Sequence, residues 1–390
     1  MNKHYYITTP IYYPSGKPHI GHAYSSIISD VFARFKKIDG YNVHFLTGTD
    51  EHGLKIQRAS EENKMKPLEF CNKISKTFKN LSKILNLSNT DFIRTTEDRH
   101  KKAVQHLWKE LEKSGDIYLS KYSGWYSVSD EAFYNEDEIE TKDGDKVSVN
   151  SGSRVEWVEE ESYFFKLSKW QDKLLDYYEK NPNFILPQSR KNEVVSFVKS
   201  GLRDLSVSRK SFSWGIKVPS NEEHVIYVWL DALTNYISAL KYPDISNELY
   251  NNFWPADVHI IGKDILRFHA IYWPAFLLAA KIPLPKRIYG HGWILSGEEK
   301  MSKSKGNILD PLEIIDNYGL DPLRYYLIND TRLNFILPGT TANITCILFV
   351  SSKNLRVPCV NSKQSSSLNI NSRIFSTIIV LSFLHHSYLV

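Results

Sequence analysis

Along the first 115 residues, short apolar runs of β-forming residues alternate with stretches whose apolar positions recur every three or four residues. The first period suits strands and the second suits amphipathic helices, so the pattern predicts a parallel sheet covered by helices. Tyr5-Tyr6-Ile7-Thr8-Thr9 reads as a strand, followed by a loop punctuated by Pro10, Pro14, Gly16 and Pro18. A helix is expected from about His19, because Ile27, Ile28, Val31, Phe32 and Phe35 fall on one face. Asn42 to Leu46 predicts a second strand running into Thr47-Gly48-Thr49-Asp50. Leu68, Cys71, Ile74, Phe78, Leu81 and Ile84 then step helically, and Thr95-x-x-Asp98 resembles a capping box for a further helix closed by Gly115.

Between about 116 and 205 the alternation breaks. Trp125, the acidic stretch Glu136 to Glu140, Trp157, Glu159-Glu160-Glu161 and a Tyr/Phe-rich segment mark an inserted module. Strand and helix patterns resume at Val225 to Trp229 and at Val258 to Ile261. Residues 206–330 therefore read as the second half of one doubly wound sheet whose first half is 1–115. Asp310-Pro311-x-Glu313 and Asp321-Pro322 predict helix starts with Pro at the first helical position. Residues 331–390 differ again: they hold no Asp or Glu, are crowded with Ser and Asn, and predict an atypical, weakly structured tail.

Composition narrows the picture only in places. The three Cys, at 71, 346 and 359, have no paired spacing, which argues against disulfide or metal-knuckle frameworks and for a reducing, cytoplasmic setting. No apolar run reaches the ~20 residues of a membrane span, and the first residues lack a signal-peptide pattern. The net charge of +5 invites a nucleic-acid reading, but the five basic residues of 331–390 account for it. Setting them aside leaves 44 basic and 44 acidic residues, so any basic surface on the body must arise locally.

Two chemical elements stand far apart: Pro18-His19-Ile20-Gly21-His22 at the first helix, and Lys300-Met301-Ser302-Lys303-Ser304 after the last strand. Together they suit attack of a carboxylate on the α-phosphorus of ATP, which needs charge stabilisation more than covalent help. His19 and His22 are three apart and can offer imidazole N–H groups on one helix face. Gly21 leaves the backbone open to a nucleotide at a helix N-terminus. Lys300 and Lys303, on a loop with Ser302, would neutralise departing pyrophosphate in the transition state.

His19 to His22 matches the HIGH motif and Lys300 to Ser304 the KMSKS motif, so the chain resembles class I aminoacyl-tRNA synthetases. Pro10-Ile11-Tyr12-Tyr13, Gly48 to Gly53, Trp229 to Tyr236 and Gly262 to Trp273 look like segments of the methionyl-tRNA synthetase family. The similarity runs over about residues 4 to 330. It implies an α/β, Rossmann-like parallel sheet split by a connective-peptide module. It also implies activation of L-methionine with ATP and Mg2+, and transfer to tRNA(Met). Asp50 would hold the substrate ammonium, and Gly262 and Asp264 would approach the ribose. A thioether packs well against aromatic edges, which Tyr13, Trp229, Tyr236 and Trp273 could supply, with Ile11, Ala232, Leu233 and Ile265 shaping the wall. His269 sits four residues from both Ile265 and Trp273, so a helix would align the three.

Two departures carry expectations. Residues 72–345 hold no Cys, which predicts no structural zinc and likeness to a metal-free branch of the family. The helical bundle that reads the anticodon in the family has no recognisable counterpart after about Asp330, which predicts truncation or replacement there. An activation-only or inactive remnant is the alternative reading.

Overall fold

The computed structural model describes residues 3–296 except 131, 135, 143 and 150, together with 299–300 and 309–329. The expected tail, 331–390, lies outside the described residues. Strands β1 (His4–Thr8), β2 (Asn42–Thr49) and β3 (Asp91–Arg94) alternate with helices α1 (Ile20–Ile38), α2 (Leu54–Glu62), α3 (Pro67–Ile84) and α4 (Asp98–Lys113). α1 is capped by His19 and carries Lys36 and Lys37 in its last turn, where cations complement the helix dipole. α3 starts on a proline at its first position. α4 stops at Ser114, and Gly115 continues at φ +72°, a conformation that only glycine enters freely. α2 had no signature in the pattern, and Leu68, read as part of the buried face of α3, is exposed, that face centring instead on Phe70, Cys71, Phe78 and Leu81.

Thr95 does not cap α4. Its hydroxyl is fully buried and accepts the backbone N–H of Glu51 at 2.9 Å, so Glu97 takes the cap position without a side-chain bond.

Among the described residues, four antiparallel sheets lie beyond α4. β4 (Ile117–Ser127), β5 (Ala132–Tyr134), the hairpin β6 (Ile139–Lys142) and β7 (Asp145–Ser148), and β8 (Glu156–Phe165) come first. α5 (Gln171–Lys180), β9 (Ile185–Leu186), α6 (Gln188–Lys199) and β10 (Leu205–Ser206) follow. β10, β8, β4 and β5 form one four-stranded sheet. The strands β11 (Ser208–Arg209), β12 (Lys217–Val218) and β13 (Asn221–Ile226) form another. The Val225 to Trp229 run is therefore corrected: its start ends β13 in this small sheet, and Val228 already begins α7 (Val228–Leu233). An apolar run of this length satisfies a strand and a buried helix turn equally.

Short helices α8 (Asn235–Ser238) and α9 (Glu248–Phe253) lead to β14 (Val258–Gly262), then α10 (Trp273–Ala279) and β15 (Ile288–His291). The main sheet is wholly parallel, in the order β3-β2-β1-β14-β15-β9. Its sixth strand, Ile185–Leu186, comes from within the stretch read as an insert, and two residues are too few to leave a period. Alternate residues serve opposite faces, as a doubly covered sheet requires. Tyr6, Leu46, Ile93, Ile261 and Ile288 enter one core with α4, α8 and α10, while Ile7, Phe45, Ile260 and Tyr289 enter the other with α1. α11 (Pro311–Tyr318) is capped by Asp310 as expected, whereas α12 (Leu320–Asn329) starts two residues ahead of Pro322, the expected first helical position. No helix among the described residues is long and apolar enough to cross a membrane.

Candidate active site

The chain order reverses between β1 and β14, and ligands of such sheets sit outside the carboxyl ends of the strands at that point. A cleft of about 1370 Å³ opens there. Its lining includes His19, Gly21 and His22 after β1, Asp50 after β2, Gly262 at the end of β14 with Asp264 and Ile265 just after it, and His291 at the end of β15. Residues between α4 and α5, such as Trp125, Glu138 and Trp157, also line it.

The two histidines are not equivalent members of one helix face. His19 is the N-cap, and its Nδ1 accepts the Gly21 N–H at 3.1 Å; His22 is the third helical residue, and its Nδ1 accepts the His19 N–H at 3.0 Å. A Cβ on residue 21 would stand 3.0 Å from the His19 ring, so Gly21 makes room for the capping imidazole. Phe78 of α3 meets the His22 ring edge-on at 5.1 Å between centroids.

Asp50 sits on a tightly held loop. The chain at Tyr12 runs beside the end of β2, its N–H donating to Gly48 O and its carbonyl accepting Asp50 N–H, both at 2.9 Å. Glu51 turns the other way, fully buried, and its carboxylate takes a bidentate pair from Arg94 at 2.7 and 2.9 Å. Gly48 is forced by contact: a Cβ there would lie 2.0 Å from the carbonyl oxygen of Ile93 on β3.

An aromatic chamber lines the same cleft as Asp50. Trp229 stacks on Phe268 at 3.7 Å with planes 6° apart. The Tyr236 hydroxyl donates to His269 Nε2 at 2.7 Å, because His269 Nδ1–H is committed to the Ile265 carbonyl at 2.9 Å. Burial pushes the His269 imidazole down to about 4, the Ile265 bond opposing only weakly, so the ring is neutral at pH 7. Ile11, Tyr13, Trp229, Ala232, Leu233, Tyr236, Ile265 and His269 all line the cleft.

Trp273 is the exception. It is fully buried behind the chamber, 6.1 Å from Tyr236 and 6.3 Å from Trp254 between ring centroids, and does not line the cleft. The expected α-helical alignment with Ile265 and His269 fails because residues Phe268–Tyr272 form a π-helical turn, and α10 starts only at Trp273. Such turns are rare and occur often at functional sites. Ser302 and Lys303 lie outside the described residues, as does the side chain of Lys300. Among the described residues no cluster of three or more His, Cys, Asp or Glu could hold a metal ion.

Three participants had no sequence signal strong enough to single them out. Phe268 adjoins His269, but nothing local announces its stack with Trp229. Trp293 follows β15, and its indole N–H donates to Asp264 Oδ1 at 2.8 Å while the Lys263 ammonium sits 3.5 Å over its ring. Its place two residues past a parallel strand's carboxyl end was the available clue. The Glu51–Arg94 pair spans 43 residues and leaves no local trace.

A parallel sheet with paired histidines, a carboxylate and an aromatic chamber at its switch point has the architecture of nucleotide-binding α/β enzymes. The family model described as tRNA synthetases class I (M) matches residues 5–335. The methionine–tRNA ligase of Rickettsia conorii is 57% identical over 353 residues, covering 90% of this chain and 68% of that protein. Methionine–tRNA ligase 1 of Bacillus cereus is 57% identical over 88% of this chain and 55% of its own length. The Mycobacterium tuberculosis methionyl-tRNA synthetase solved with methionyl-adenylate superposes with a TM-score of 0.83 at 51% identity, over 84% of this chain and 64% of that one. This chain belongs to the class I tRNA synthetases of the methionine type.

Proposed function

We propose that this chain activates L-methionine with ATP and passes the methionyl group to tRNA(Met). The observation that carries the reading is the single cleft in which the Asp50 loop, the His19–His22 pair and the Trp229–Tyr236–His269 chamber meet. A carboxylate oxygen of methionine attacks the α-phosphorus, the bond from the α-phosphorus to the bridging oxygen breaks, and pyrophosphate leaves; Mg2+ entering with ATP would offset its charge. Nothing in this step needs a covalent enzyme intermediate, so charge stabilisation carries it.

Asp50 takes the ammonium through a charge-assisted bond, and the neutral chamber takes the thioether. His19 and His22 each accept a backbone N–H at Nδ1, which puts the ring proton on Nε2, and these imidazoles take the phosphate oxygens. Asp264 and Gly262 take the ribose, and Lys300, Ser302 and Lys303 take the departing phosphates. The second step needs tRNA.

Methionine-dependent exchange between ATP and labelled pyrophosphate tests the first step. Exchange with methionine and not with other amino acids is expected, and no exchange with any of them overturns the reading. Charging of tRNA(Met), measured on the same preparation, separates the full ligase from an activation-only form.

A further inference from the structure

Two pieces of the methionine chamber stand far apart in sequence: the loop after β2, which carries Asp50, and α7, which carries Trp229, Ala232 and Leu233. One buried carboxylate joins them. Asp231, between those wall residues on α7, is fully buried; its Oδ2 accepts from His52 Nδ1 at 2.6 Å, and its Oδ1 accepts from Nε2 of His100 on α4 at 2.7 Å. His100 is anchored through Nδ1 to the Ser238 hydroxyl of α8 at 2.8 Å. None of these four side chains is among those lining the cleft.

The loop bearing Asp50 is thereby gripped from both sides. Glu51 points to Arg94 and Thr96, and its carbonyl accepts the Trp214 indole N–H at 2.6 Å, while His52 points the other way to α7. A buried carboxylate is costly to desolvate, and apolar groups of similar size could fill the same space without loss of stability. What they could not do is fix the spacing of two segments to within a hydrogen bond. Burial alone would raise the Asp231 carboxyl, yet the facing His52 and His100 outweigh it and hold the group below its ordinary range.

We propose that Asp231 is a positioning residue: through His52 it fixes the Asp50 carboxylate against the α7 wall, and so sets the distance between the ammonium and thioether ends of the methionine site. The inference rests on the function proposed above. Misplacement of a binding group by about 1 Å can cost on the order of 100-fold, so a rigid strut between these ends has a large lever.

Two substitutions at His52 separate positioning from packing. His52→Asn keeps an N–H donor near the place of Nδ1, whereas His52→Phe fills the space without one. In methionine-dependent pyrophosphate exchange, His52→Phe is expected to raise the methionine KM roughly 10-fold or more, the loss of a hydrogen bond to a charged group. The ATP KM should stay within about two-fold in the same assay, since the nucleotide side of the cleft does not rest on this strut. His52→Asn should restore most of the methionine affinity. Where His52→Phe does not fold, Asp231→Asn replaces it, being the same size, with the same expected rise in methionine KM alone. An unchanged methionine KM, equal rises in both KM values, or His52→Asn behaving as His52→Phe overturns the inference while wild-type exchange stands. Absence of methionine dependence in the wild type overturns the functional reading, and this inference with it.

Discussion

The backbone N–H of His19 donates to the ring of His22, and the rings lie 3.8 Å apart between centroids, so each histidine orders the other. Both Nδ1 atoms accept backbone N–H groups, which leaves each ring proton on Nε2. Structure and chemistry can be separated here, because Asn is as good an N-cap as any residue but has nothing in place of Nε2. His19→Asn is expected to keep the thermal midpoint close to wild type while slowing adenylate formation by about 100- to 1000-fold, the usual loss for one preorganised donor. Methionine affinity should not move. A variant that exchanges pyrophosphate at near wild-type rate would remove His19 from the chemistry.

How far the sequence announces this arrangement depends on the length of each pattern. β1, α1 and β2 were legible because each repeats its period several times, and the strand ends that deliver His19 and Asp50 came with them. Val225–Ile226 is a strand as its pattern suggests, but its partners are β11 and β12 rather than the main sheet, and partner choice leaves no local period. Thr95 looked like a cap because capping boxes are recognised by local spacing, whereas its hydroxyl answers Glu51, 44 residues away. Trp273 reads as a pocket aromatic from its chemistry and helical spacing, yet a π-helical turn precedes it and the indole is buried in the core. Contacts across the fold decided each case, and no local pattern encodes them.

Asp30 of α1 and Arg324 of α12 tie the helix that carries the histidines to the segment after the last strand. The Asp30 side chain is fully buried and accepts from Arg324 at 2.5 Å, Arg34 at 2.8 Å and the Ser88 N–H at 2.6 Å. Burial opposes its ionisation, but the two guanidinium groups prevail and hold the carboxyl below its ordinary range. Removing one partner of such a pair leaves a charge short of compensation. Arg324→Ala should therefore cost about 2–4 kcal/mol in urea denaturation, somewhat below a full orphaning because Arg34 remains. The double variant with Asp30→Asn should lose less than the sum of the singles. Additive losses would show that the pair is incidental.

Acid sensitivity follows from histidines that are buried neutral. Burial pushes both His44 and His269 down to about 4, well below the ordinary value of 6.5. A group depressed on folding contributes its full stability above its unfolded value and loses it as pH falls toward its folded value. The unfolded chain thus takes up these protons between about pH 6.5 and 4 while the native chain does not, and stability falls through that window. His44 is the clean probe, since it lies on β2 away from the cleft, with Nδ1 on the Thr90 hydroxyl at 3.1 Å. His44→Asn keeps a polar group near Nδ1 and cannot titrate. The wild type should lose on the order of 2–3 kcal/mol from this site alone between pH 7 and 4.5, and the variant should be spared that share. Parallel stability–pH curves for the two proteins would mean that His44 is protonated in the native state, or is reached by water, and that the acid limb belongs to other groups.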